Sequence, residues 1–204
     1  MDIIELTRGV EFGRGTTADV GAFLHAHNRP QTLQHSGRVA AEAVRLAGRF
    51  GADAEKARLA GLLHDISAVI PNDLRLETAQ RWGLAVLPEE ETFPMLLHQQ
   101  LSAVMAREIF GVRDEEVLSA VACHTTLRPS AGKLDLVVFV ADKIAWDQPG
   151  QPPYLDDLLA ALDQSLAQAA RVYLEYLREH LTGPLHPWAR DALFDLLDGS
   201  AAGN

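Results

Sequence analysis

Apolar residues recur along the chain at intervals of three and four, the period of a helix with one face in a core. The segment "TTADVGAFLHAH" opens on threonines suited to a helix start. "RPQTLQHSGRVAAEAVRLAGRF" follows, with Pro30 in its first turn, Gly51 as its stop, and Leu33, Val39, Ala43, Leu46 and Phe50 along one stripe. Asp53 then caps "AEKARLAGLLHDI", whose Ala57, Ala60 and Leu63 face inward. Pro71 and Asn72 restart the chain as "DLRLETAQRW", closed by Gly83, and "PMLLHQQLSAVMAREIF" runs from Pro94 to a stop at Gly111. "RDEEVLSAVACHT" carries acids in its first turn, where the helix dipole favours them. After the loop "TLRPSAGK" comes the apolar run "LDLVVFVADKIAW". Its β-branched residues suit a strand, but its length exceeds that of a usual strand, which predicts a buried helix. The loop "DQPGQPPY" precedes one long amphipathic helix over about 155–180 and a last helix near 187–198, and the small, polar tail "DGSAAGN" is expected to fray. No segment alternates as strands do. The fold class is therefore all-α: a helical core over 30–146, a segment 1–29 with a short helix, and a loop with C-terminal helices over 147–204 packed on the core.

Composition narrows the function classes. With 48% hydrophobic residues in 204, the chain can bury a core as one domain. A formal net charge of −10 argues against non-specific binding to nucleic acid or to anionic membranes. It leaves room for a phosphorylated small molecule, because bound metal ions invert the local field. One cysteine, Cys123, excludes an intramolecular disulfide, and the expected setting is cytoplasmic. The start "MDIIELTRGVEFGRG" reads as neither signal peptide nor anchor, and no apolar run reaches the ~18 residues of a transmembrane helix.

Against this apolar pattern six polar residues stand out: His35, His64, Asp65, His98, His124 and Asp142. Each lies within or beside an apolar stretch, where an unpaired charge or imidazole is costly. Asp142 interrupts "LVVFVADKIAW" in mid-helix. Four imidazoles and two carboxylates could satisfy one another through first-row transition metals. His25, His27, His180 and His186 sit in polar or terminal contexts and read as surface or structural groups.

The series His35, His64-Asp65, His98, His124, Asp142 resembles the HD-domain metal-dependent phosphohydrolases, and within them the YqeK-like symmetrical diadenosine tetraphosphate hydrolases. The matching words are "QHSGRVAAEAVRLAGRFGAD", "KARLAGLLHDI", "LLHQQLSAVMAREIFGVRDEEVLSAVACHTT" and "LDLVVFVADKI". The resemblance implies a dinuclear centre. His35, His64, Asp65 and Asp142 would hold one ion, and His98 and His124 a second, with Asp65 shared. Iron is favoured, with Mn, Co, Ni or Zn able to substitute. It implies hydrolysis of diadenosine tetraphosphate to two ADP; the alternatives are another nucleotide substrate, or a metal-containing regulatory module without turnover. Asp65 and Lys143 are the candidate catalytic groups, and Thr125, Arg128, Lys143 and Trp146 the candidate substrate contacts. Three positions depart from the family pattern: Ala68 stands where many relatives have lysine, and "ADKIAW" puts Ala145 and Trp146 where many have Glu and Pro. The expected partner is a nucleotide substrate, with no nucleic acid and no membrane, and the long C-terminal helix is a candidate homodimer face.

Overall fold

The computed structural model describes residues 1–13 and 15–199; within them the chain is helical, with no strand. The central helix α3 (Pro30–Phe50) begins with proline at its first turn and ends at Gly51, whose φ of 67° is left-handed. α4 (Ala54–Leu63) starts at Asp53, whose side chain accepts from the backbone N–H groups of Glu55 and Lys56. α3 and α4 pack along one another unusually closely: a Cβ on Gly61 would lie 2.7 Å from the Cα of Ala40, so only glycine fits there. A 3-10 turn (Ile66–Val69) follows the His64-Asp65 pair and leads to α5 (Asn72–Arg81).

A second 3-10 turn (Pro94–Leu97) delivers α7 (His98–Glu108), so the helix anticipated from Pro94 begins with a tighter turn and His98 is its first α-helical residue. α8 (Glu115–Cys123) is capped by Asp114, and α9 (Lys133–Ile144) is the anticipated buried helix, with Val137, Val138, Phe139 and Val140 fully buried. α9 packs against α3, α4 and α8, and α8 against α4 and α7. The helices that carry the six polar residues therefore share one core.

The rest of the chain wraps this core. α1 (Ile3–Thr7) and α6 (Pro88–Thr92) are short helices that periodicity did not reveal. α2 (Thr16–Ala26) matches its segment, although Gly15 occupies the cap position and no threonine side chain caps it. The long helix expected over 155–180 is two helices, α10 (Leu155–Leu162) and α11 (Leu166–His180). Ser165 breaks it: its backbone is extended and its side chain accepts from Gln168 N–H, which starts a new helix. α11 packs on α9, and α12 (Pro187–Leu197) packs on α11. Residues 200–204 of the tail expected to fray lie outside the described residues. Among the described residues, no helix is long and apolar enough to cross a membrane.

Candidate metal centre

All six polar residues converge. The Nε2 of His35 lies 3.1 Å from Asp142 Oδ1 and 3.2 Å from the Nε2 of His64. His64 Nε2 is 3.5 Å from Asp142 and 3.6 Å from Asp65 Oδ2. On the other side His98 and His124 bring their Nε2 atoms to 3.0 Å, and these lie 3.4 and 3.6 Å from Asp65 Oδ1. Asp65 thus turns one oxygen to each half. Ligand atoms of His35, His64 and Asp142, and of His64, Asp65 and His124, form two groups able to hold a metal ion, within 4.8 Å of one another.

Local folding aims these rings. His64 ends α4, His124 ends α8 and His98 begins α7, and each donates its Nδ1–H to the carbonyl three residues earlier: Gly61, Val121 and Met95 at 2.8, 2.8 and 2.5 Å. A neutral imidazole has one N–H, so these three present lone pairs at Nε2. The Nε2 lone pairs of His98 and His124, facing each other at 3.0 Å, repel unless a cation lies between them. The donor set, imidazoles with carboxylates, suits a divalent transition metal.

The electrostatics agree. Burial would push His64 down, but Asp65 and Asp142 outweigh it and raise its pKa to about 9, the response of an imidazole held against two carboxylates. Burial lowers His98 to about 4 against the pull of Asp65, and lowers His124 too. Burial would raise both carboxylates. The charge of His64, with His124 and His98 close by, instead holds Asp65 well below the usual carboxylate range, and Lys143, His35 and His64 do the same for Asp142.

Two cavities reach this cluster. One, about 320 Å³, is polar and is lined by His35 and Asp65 themselves with Gln31, Arg38 and Trp146. The other, about 400 Å³, is lined largely by apolar groups, among them Phe93, Met95, Tyr173 and Leu181, with Thr125 at its inner end. The Thr125 hydroxyl lies 2.9 Å from His98 Nε2, which joins this cavity to the cluster. A buried clasp closes its outer wall: His186 caps α12 by accepting from Trp188 N–H at Nδ1, which leaves Nε2–H to face Glu90 Oε1 at 3.4 Å.

Of the candidate substrate contacts, Thr125 and Trp146 line these cavities. The structure brings neither Lys143 nor Arg128 to them. Lys143 is buried, donating to Asp142 Oδ2 at 2.7 Å and to the His124 carbonyl at 3.1 Å, and it positions Asp142. Arg128 donates to Ser119 and lines separate surface cavities with Glu115. The other histidines keep structural partners: His27 faces the Leu6 carbonyl, His180 the Tyr176 carbonyl, and His25 is exposed.

Several supporting residues carry no signal of their own in the sequence. Gln99, fully buried, accepts from the backbone N–H groups of Thr125 and Thr126 and fixes the turn after His124. Ser67 donates to the His98 carbonyl at 2.7 Å and receives Ser102, tying the turn after Asp65 to α7. Their one local mark is position beside a candidate ligand: Gln99 follows His98, and Ser67 is two residues after Asp65.

The HD domain family profile matches residues 32–147. An uncharacterized protein in the pepC 5′ region of Lactococcus lactis subsp. cremoris is 45% identical over 69% of this chain and 72% of its own. The symmetrical bis(5′-nucleosyl)-tetraphosphatase of Bacillus subtilis is 32% identical over 66% of this chain and 71% of its own. Among solved structures, a predicted HD superfamily hydrolase involved in NAD metabolism from Clostridium acetobutylicum superposes with a TM-score of 0.81 at 29% identity, covering 92% of this chain and all of that one. The chain belongs to the HD-domain family, in the company of relatives named symmetrical bis(5′-nucleosyl)-tetraphosphatases.

Proposed function

We propose that the protein is a phosphohydrolase that cleaves diadenosine tetraphosphate to two ADP at a dinuclear centre. The observation that carries this reading is the convergence of four imidazole Nε2 atoms on two carboxylates, with Asp65 dividing its oxygens between the halves. His35, His64 and Asp142 would hold one ion, His98 and His124 the other, and Asp65 both, with iron as the resident metal. Bound there, divalent ions would polarise phosphate oxygens and lower the pKa of water toward neutrality.

The chain's own groups prepare the site for that chemistry. The carbonyls of Gly61, Val121 and Met95 fix three rings in the tautomer that leaves Nε2 free. Lys143 holds Asp142 and helps keep it ionised. Asp65, with a side chain 26% exposed, faces the opening through which a phosphate would enter. The one cysteine is buried, and burial pushes its thiol well up, so it is no nucleophile. On this reading water attacks an inner phosphorus and ADP leaves.

The test is metal analysis with product identification on a dinucleotide panel. We expect close to two transition-metal ions per chain, two ADP from diadenosine tetraphosphate, and, in ¹⁸O-labelled water, label in one ADP of each pair. ATP with AMP would overturn the symmetrical assignment. No released product from metal-loaded protein would favour the regulatory module.

A further inference from the structure

The phosphate chain of the proposed substrate carries several negative charges, and the two cations singled out from sequence do not face the cavities at the cluster. Arg38 lines the polar cavity, and two further arginines are anchored beside the cluster. Arg29, in the turn between α2 and α3, donates Nε–H to the Ala68 carbonyl at 2.9 Å, and the Ala68 N–H in turn donates to the Asp65 carbonyl at 2.9 Å. Arg75, on α5, donates to the carbonyls of Ile70 at 3.3 Å and Met95 at 3.2 Å. That Met95 carbonyl is the one that orients His98. Each guanidinium is therefore fixed, through one backbone group, to a residue of the cluster.

Both are only partly buried, and neither forms an ion pair among the described residues. Arg45, Arg49, Lys56, Arg58 and Arg81, by contrast, each hold a carboxylate. The backbone anchors use Nε of Arg29, and Nε and Nη1 of Arg75, which leaves both Nη groups of Arg29 and Nη2 of Arg75 without an acceptor. Burial draws Arg75 down, Asp65 opposes that, and the charge of Arg29 adds to it. The planar fork of an arginine whose remaining N–H groups are free matches paired phosphate oxygens.

We propose that Arg29 and Arg75 form a clamp for the phosphate chain of the substrate, on the side of the cluster where Asp65 and His98 lie. This rests on the phosphohydrolase reading above and adds the groups that would hold the anion while the metal centre acts on it. Neither residue touches the reacting atoms in the structure; both are assigned to binding and positioning.

The competing explanation is that the arginines only cap carbonyls around the turn after Asp65. Arg29→Gln and Arg75→Gln separate the two, because an amide can still donate to a carbonyl but cannot attract an anion. Metal-loaded wild type and variants are compared by metal content, by Tm, by titration calorimetry with inorganic tripolyphosphate, and by KM and kcat for diadenosine tetraphosphate. The clamp predicts that each variant keeps its metal and its Tm while tripolyphosphate affinity falls and KM rises by roughly tenfold, the size of one lost charge-assisted contact. Arg75→Lys, which keeps the charge without the fork, should recover part of the loss. Unchanged affinity and KM, or a loss confined to Tm, overturns the clamp. If Arg75→Gln does not fold, Arg29→Gln alone decides by the same readings. If wild type hydrolyses no dinucleotide yet binds tripolyphosphate in an arginine-dependent way, the clamp stands and the substrate assignment falls. Hydrolysis with an arginine-independent KM removes the clamp and leaves the substrate assignment standing.

Discussion

The two cavities that reach the histidine cluster are built from different parts of the chain. The polar one draws on the first turns of α3 and on Trp146, Asp147 and Gln148 just past α9, all bordering the candidate ligands in sequence. The apolar one needs Phe93 and Met95, the threonines after His124, and a wall from α11 and residues 181–189 that the Glu90–His186 clasp holds in place. A substrate with identical halves would meet unlike walls on the two sides. The cluster adds its own asymmetry, since Asp65 stands between a half with His35, His64 and Asp142 and a half with His98 and His124 alone.

The most severe break removes the middle. Asp65→Ala takes away the one carboxylate that faces both halves. We expect metal content well below one ion per chain and a loss of turnover of at least about 10³-fold. His98→Ala should spare the half formed by His35, His64 and Asp142. If Asp65→Ala keeps two ions by elemental analysis, the shared-carboxylate assignment is wrong.

Next comes a change that opens the His35–His64 half while leaving the apolar cavity alone. A methyl at Gly61 would meet the backbone of α3 at Ala40, where no flexible side chain can yield. Overpacking of this kind costs about 1–3 kcal/mol, which in a chain of this size lowers Tm by roughly 2–12 °C. His35 and His64 lie on the two helices that would be forced apart. Gly61→Ala should therefore weaken metal loading as well as stability, and a calorimetric Tm equal to wild type would show that the helices tolerate the methyl.

How much of this was visible in the sequence follows the same division. The core helices and the cluster were legible because burial leaves a periodic stripe, and because an aspartate such as Asp142 in an apolar helix demands a partner. The break at Ser165 was not, because its apolar period continues across the serine and only the backbone geometry reveals the cap. The cavity wall was not either: Phe93 and Leu181 are 88 positions apart in numbering, and nothing local tells either of them that the other is near. Lys143 and Arg128 were singled out by neighbourhood in sequence, but α9 turns Lys143 inward, and Arg128, in the loop before α9, folds back onto Ser119. Arg29 and Arg75 come from segments with no motif, and only the fold places them beside Asp65 and His98.

The apolar side is tested by Phe93→Ala. Its ring is 50% exposed and lines the cavity, so little of the core depends on it. A base stacked there would lose ~1–3 kcal/mol, hence a rise in KM of roughly tenfold or more with Tm nearly constant. A Tm that falls while KM holds would move Phe93 from the substrate to the scaffold.

The smallest effect is expected on the polar side, at Trp146. α9 ends at Ile144, so Trp146 stands just past the helix that carries Asp142 and not on it. Its ring is half-buried and edge-on to Tyr154, with centroids 6.1 Å apart, and it shares the cavity with His35 and Asp65. The indole N–H is buried without a hydrogen-bond partner among the described residues, so one edge of the ring is committed to the protein. Only the remaining surface is available to a nucleoside, and the stacking contribution should fall at the low end of the usual range. Trp146→Ala is therefore expected to raise KM by about fivefold. Losing the contact with Tyr154 should also lower Tm by a few degrees. Trp146→Phe should restore most of the KM, because a flat ring suffices for stacking. A Tm loss of many degrees with KM untouched would make Trp146 a core residue, and the polar cavity would then lack the aromatic wall that its counterpart has in Phe93 and Tyr173.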